Sequence, residues 1–325
     1  VRSALVAAAL LVAAAAEGAP PMRGVALGLS GTPAERRATA LGEIAGLGAD
    51  HVSLVVFWGQ RDVRSVGLGP VPGLTVPDDE TRAAVRAAHA AGLKVFLFPI
   101  VDVATRALGE WRGTLRPDDV AAWWQSYEGF ILHYSALAAD EGVELFAVGS
   151  ELASTESWRE RWFHLIGAVK RGYPGKLLYS ANWDHYQAVS FWERVDYIGV
   201  SAYYELSPAP DASADELSRG WRAVRRTLTA YAARAERPLV LTEVGCPSQA
   251  GATAHPWDYT RSAPVDLEAQ RRAYQALRDA WEGEPWLAGV FIWEWTGAGG
   301  SSDRGYTPRG KPAEAILRAW YRGPR

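Results

Sequence analysis

The chain has 325 residues, 48% of them apolar, and a formal charge of −3. That is enough for one large domain with a sizeable core. With no long run of either charge sign, there is no electrostatic case for nucleic acid or an anionic membrane surface as partner. The single cysteine, Cys246, cannot form an internal disulfide, so cysteine usage does not identify a compartment.

Residues 4–16 form an Ala-rich apolar run behind Val1-Arg2 and end in Ala14-Ala15-Ala16. The run is too short to span a bilayer, and its end is an A-x-A cleavage pattern. Residues 1–16 are therefore expected to be a signal peptide, with a secreted or periplasmic location and a mature domain over 17–325. No later stretch is long and apolar enough for a transmembrane helix.

From Met22 onward, strand and helix patterns alternate. Short apolar, β-branched runs at 24–29, 51–57, 94–101, 143–148, 176–180, 195–200, 238–242 and 287–293 read as buried parallel strands. Helical spacing predicts helices over 33–47, 78–91, 117–139, 156–171, 214–235, 267–281 and 313–321. The Pro117-Asp118-Asp119 start is a good helix N-terminus. Strands alternating with helices pair in parallel, and eight is the number that closes a (β/α)8 TIM barrel. No linker or composition shift marks a second domain, so an α/β fold in a single domain is expected. The longer loops, at 59–77, 102–116, 245–264 and 296–312, all follow strands, on the face where such barrels carry their chemistry.

Two glutamates stand at the ends of apolar runs: Glu151 in VELFAVGSEL and Glu243 in RPLVLTEVG. Glu is depleted in strands and costly to bury. One such Glu is usually a solvated rim residue, but two at the mouths of strands four and seven imply glycosidic bond cleavage, which needs one carboxylic acid and one carboxylate. The histidines show no HExxH or other ligand spacing, and no phosphate-binding glycine loop opens a helix. No metal and no cofactor is expected. The 15 Trp fit both core packing and stacking on sugar faces. Trp123, Trp124, Tyr127, Phe130 and Tyr134 repeat at helical spacing and read as helix–barrel packing. Glu294 alternates with Trp293 and Trp295 and is expected to point away from them, toward the rim.

An ordered set of segments carries a family resemblance: FWGQ at 57–60, WRG at 111–113, VGSEL at 148–152, SANW at 180–183, DYIGVSAYY at 196–204, LTEVG at 241–245, PWDY at 256–259, FIWEW at 291–295 and GYTPRGKPAE at 305–314. In this set the chain resembles the clan A retaining glycoside hydrolases, and within them glycoside hydrolase family 113, whose characterised members are endo-β-1,4-mannanases. The resemblance implies that Glu151 is the acid/base and Glu243 the nucleophile. It also implies a Tyr bonded to the nucleophile, with Tyr203 the first choice, and a Trp after strand eight under the cleaved sugar, at Trp293 or Trp295. Further sugar contacts are expected from Asp102, Ser150, Asn182 and Trp183, and from Trp58, Trp111 and Trp257 on the loops. The expected partner is a polysaccharide or oligosaccharide, most simply β-1,4-mannan or glucomannan, handled by a monomer. Another β-glycan, or a non-catalytic carbohydrate-binding barrel, are the rival readings.

The chain departs from the family pattern twice. Ser150 stands where an Asn usually precedes the acid/base. Phe98-Pro99-Ile100-Val101-Asp102 stands where relatives often have Lys-Pro-His-x-Asp. If residues 98 and 100 face the sugar, these apolar replacements should weaken action on plain mannan.

Overall fold

The apolar runs become eight parallel strands that close on themselves. In the computed structural model, which describes residues 20–324, the strands are β1 (Met22–Gly28), β2 (His51–Gln60), β3 (Lys94–Val103), β4 (Leu145–Ser150), β5 (Lys176–Asn182), β6 (Tyr197–Ser201), β7 (Leu239–Val244) and β8 (Leu287–Ile292). Each pairs with its chain neighbour, and β8 returns to β1, so the sheet has no free edge. The candidate signal peptide at 1–16 lies outside the described residues.

Among the described residues, seven helices surround the barrel: α1 (Ala34–Gly46), α2 (Asp78–Ala90), α3 (Val120–Asp140), α4 (Arg159–Gly172), α5 (Ala214–Ala235), α6 (Leu267–Trp281) and α7 (Pro312–Arg322). A short 3₁₀ turn, Trp192–Arg194, stands between β5 and β6 in place of a helix. The helix starts follow from local chemistry. The Asp119 carboxylate accepts from the N–H groups of Ala121 and Ala122, so α3 begins just after the Pro-Asp-Asp triplet rather than within it. Ser213 and Glu216 close a reciprocal capping box on α5. Among the described residues, no helix is long and apolar enough to cross a membrane.

Strand alternation divides the apolar residues into two cores. The outer one lies between strands and helices and holds Trp123, Tyr127, Trp162 and Tyr179. The inner one fills the barrel with Ala26, Val55, Phe96, Phe98, Ile100, Leu145, Ala147, Leu178, Val240 and Phe291. Phe96 stacks on Phe98 at 4.9 Å and meets Phe291 edge-on at 5.0 Å. Gly24 makes room for this aromatic plug, since a Cβ there would sit 2.2 Å from the Phe291 ring. The inner core closes the barrel beneath its carboxyl end, leaving that end to carry polar groups.

Candidate active site

Two irregularities in the sheet aim the glutamates. The β4–β5 register shifts between Ala147 and Ser150, and the β6–β7 register between Val200 and Ser201. Such extra residues bend a strand and redirect a side chain. Glu151 leaves β4 with a positive φ of 54°, and its N–H donates to the Ser180 carbonyl at 2.7 Å. The Glu243 carbonyl accepts from the Ala202 N–H at 2.6 Å. Both side chains are almost closed to solvent, with Glu151 6% and Glu243 3% exposed.

The structure brings the two carboxylates into one electrostatic unit. The Tyr203 hydroxyl donates to Glu243 Oε2 at 3.1 Å, as the resemblance implied for that tyrosine. Burial, and then the facing Glu151 charge, push the Glu243 carboxyl up to about 8, against the opposing pull of Arg112 and the Tyr203 bond. Arg112 is the member of the site that sequence reasoning missed. It lies in the 3₁₀ turn Arg112–Thr114 of the β3–α3 loop, where no periodicity marks a functional side chain, and only its place in the WRG segment hinted at it. Its Nη2 pairs with Glu151 Oε2 at 2.6 Å. Burial pulls its pKa down, but Glu151 and then Glu243 outweigh that and hold it above the ordinary value. Three buried polar atoms here have no hydrogen-bond partner: Ser150 Oγ, Glu243 Oε1 and Arg112 Nε. Such groups are rare in folded proteins, and a catalytic role is one of the physical reasons they are kept.

The remaining expectations divide. Asn182 ends β5, half-buried, and donates to Asp184 at 2.6 Å. Asp102 is half-buried at the end of β3. Trp293 is half-buried and packs on the inner core, facing the mouth. Trp111 folds its ring over Gly113, beside Arg112, so closely that a Cβ on Gly113 would meet it at 2.3 Å. Trp257 is 45% exposed on the β7–α6 loop, its indole N–H bonded to Glu205. Next to it, the Tyr259 hydroxyl accepts from Arg106 Nη1 at 2.8 Å. The loops after β3 and β7, four strands apart in the closed order, therefore touch.

The expectations for three tryptophans, for Glu294 and for Phe98 and Ile100 are corrected. Trp58 turns outward and packs on Phe130, His133 and Tyr134 of α3, with its ring 5.2 Å from that of Phe130. Trp183 also turns outward, edge-on to Tyr204, whose hydroxyl donates to the Trp183 carbonyl. Trp295 is 3% exposed in the outer core, and its indole N–H donates to Glu43. Glu294 takes the opposite course from the one expected. Its Oε2 lies over Gly28 of β1, and its charge adds to those raising Glu243. Burial pushes its own carboxyl above the usual range. Finally, Phe98 and Ile100 are 0% and 2% exposed in the inner core, so neither presents a surface to a sugar.

Two outcomes follow from this electrostatics. Replacing Arg112 with Leu leaves the Glu151 carboxylate without its partner. Activity is expected to fall roughly 10²-fold or more, as when one preorganised donor is lost, and stability by up to about 3 kcal/mol. Adding Glu151→Gln should restore the stability and not the activity. Stability equal to wild type in the single variant would count against the ion pair.

The second concerns pH. Burial also pushes the Glu156 carboxyl up to about 7. Folded Glu156 and Glu243 therefore hold protons that the unfolded chain releases at its ordinary carboxylate pKa. Their contribution to stability is fully present below pH ~4.5 and is lost as pH rises toward 8. Glu243→Gln removes its share, so urea unfolding should show the variant gaining on wild type between pH 5 and pH 8, by roughly 1–4 kcal/mol. A gap that does not change with pH would contradict the raised Glu243.

Among the described residues, no three His, Cys, Asp or Glu side chains come together to hold a metal ion. Comparison with known proteins agrees with the architecture. The model of glycoside hydrolase family 113 matches residues 28–311. A family 113 β-mannanase from Alicyclobacillus acidocaldarius, solved in complex with ManMIm, is 32% identical, with 94% of this chain and 98% of that one covered and a TM-score of 0.84. A second family 113 β-1,4-mannanase is 23% identical over 94% of this chain and 100% of that one, at a TM-score of 0.83. A fungal β-1,4-galactanase, at 20% identity, 94% and 100% coverage and a TM-score of 0.58, shares the fold. No curated protein matches the sequence.

Proposed function

The chain belongs to glycoside hydrolase family 113, and from that membership we propose that Glu151 and Glu243 cleave β-1,4-mannan or glucomannan by retaining double displacement. The observation that carries the reading is the shared electrostatic unit: two buried carboxylates at the ends of β4 and β7, with one guanidinium within reach of both. Tyr203 occupies Glu243 Oε2 and leaves Oε1 without a partner, so Oε1 is the oxygen free to attack the anomeric carbon. As that bond forms, the glycosidic C–O bond breaks, and Glu151 gives its proton to the departing oxygen. A water then attacks the same carbon. Glu151 takes the water's proton, and Glu243 leaves as carboxylate.

Proton bookkeeping assigns Arg112 a part. Arg112 pairs with Glu151, and burial with the facing Glu151 charge favours the protonated form of Glu243. Attack needs the reverse. A sugar entering between Arg112 and Glu151 separates that pair and turns the guanidinium charge toward Glu243. The proton then belongs on Glu151, where the leaving oxygen collects it. A polymeric substrate also suits an exported enzyme, the location proposed from residues 4–16.

The test is to incubate the purified protein with mannan, glucomannan, xylan, cellulose and β-1,3-glucan while following the anomeric proton of the first product by NMR. Release from mannan or glucomannan with a β-anomer formed first supports the reading. An α-anomer first, or turnover confined to the other polymers, overturns it.

A further inference from the structure

Glu151 sits in the left-handed backbone region, a strained place for a non-glycine residue that persists only when its surroundings over-determine it. The next N–H along the chain, that of Leu152, donates to the Tyr179 hydroxyl at 2.8 Å. That hydroxyl in turn donates to Glu156 Oε1 at 2.9 Å. Both Tyr179 and Glu156 are fully buried. Tyr179 reaches out from β5, its ring held against Trp162, Phe191 and Trp192. The Leu152 carbonyl accepts from both the N–H and the hydroxyl of Thr155, which brings Glu156 under the turn. The Glu156 carbonyl is tied to Ser190, and its second carboxylate oxygen lies 3.5 Å from His185 Nδ1.

A phenol has one proton to give. With its proton directed at Glu156 Oε1, the phenol oxygen can only accept from Leu152, so that acceptor oxygen fixes the direction of the whole chain of bonds. An apolar residue in this place would fill the space without the cost of burying a carboxylate. The oriented acceptor is what the carboxylate adds. We propose that Tyr179 and Glu156 are positioning residues that hold the turn carrying Glu151, so that its carboxyl meets the glycosidic oxygen. The proposal rests on Glu151 being the acid/base.

The experiment compares Tyr179→Phe, Glu156→Leu and Glu156→Gln with Glu151→Ala on two substrates, an unactivated manno-oligosaccharide and a dinitrophenyl mannoside. Only the first needs a proton on its leaving group. Tyr179→Phe and Glu156→Leu should lower kcat on the oligosaccharide roughly 10–100-fold, the scale of a small misplacement of a catalytic group. On the activated mannoside kcat/KM, which reports the first step, should fall less than about 3-fold, while kcat and KM fall together because the water step still relies on Glu151 as base. Glu156→Gln keeps an acceptor for the phenol and should return to within about 3-fold of wild type. Equal losses of kcat/KM on both substrates, or no loss on the oligosaccharide in a folded variant, overturn the proposal. If Glu151→Ala shows the leaving-group dependence and Tyr179→Phe and Glu156→Leu do not, only the positioning role fails. If Glu151→Ala does not show it, the acid/base assignment and the proposal fall together.

Discussion

Replacing Glu243 with Ala is expected to remove nearly all turnover, roughly 10⁴-fold or more, on every substrate, because no other group can form the covalent intermediate. Tyr203 cannot take over. It is buried, and burial, the larger cause and the one that remains when the Glu243 charge is gone, holds its hydroxyl well above its ordinary pKa. Glu151→Ala has a different signature. The loss should be about 10²–10⁴-fold where the leaving group needs a proton, and far smaller for an activated aryl glycoside in the first step. The two variants can be separated by stopped-flow measurement of aryl release. Glu151→Ala should show a burst followed by slow turnover, since the water step still lacks its base, while Glu243→Ala should show no burst. A burst from the Glu243 variant, or equal losses for Glu151→Ala on both substrate types, would reverse or remove the assigned roles.

The fold and the buried glutamate pair proposed for catalysis were legible because both obey or break a local rule. Eight β-branched runs separated by helical spacing allow little besides a closed parallel barrel. Glu151 and Glu243 stood out because strand composition disfavours them. The side-chain directions beyond the pair were less legible. Alternation from Val55 and Phe57, which pack on the inner core, already points Trp58 outward, but its place in FWGQ suggested a loop. The structure extends β2 to Gln60, in register with β3 as far as Val103. Trp295 misled for the opposite reason. β8 ends at Ile292, so alternation no longer governs residues 293–295, and Trp293 and Glu294 both serve the mouth while Trp295 joins the outer core. Arg112 and the Tyr179–Glu156 pair depend on contacts between residues far apart in the chain, which no local pattern encodes.

Strand β3 shows what such a misreading costs. Lys at position 98, the family's frequent choice, is expected here to destabilise the barrel rather than improve action on mannan. Phe98 is stacked on Phe96 inside a closed aromatic plug. Removing its ring alone should cost roughly 3–5 kcal/mol. The ammonium that replaces it would have to lose its charge or hold it without a partner among apolar side chains. Phe98→Lys should therefore unfold at much lower urea concentration, with no gain in turnover per folded molecule. The inward face of the strand first reaches solvent one step further on. Asp102 follows Phe96, Phe98 and Ile100 on the inward face by alternation and is the first of them to reach solvent. Asp102→Ala should keep nearly wild-type stability and raise KM for mannan about 10-fold, the loss of one charge-assisted hydrogen bond. A stable Phe98→Lys variant with faster mannan turnover would show that position 98 opens onto the sugar. An Asp102→Ala variant with unchanged KM would take β3 out of substrate binding altogether.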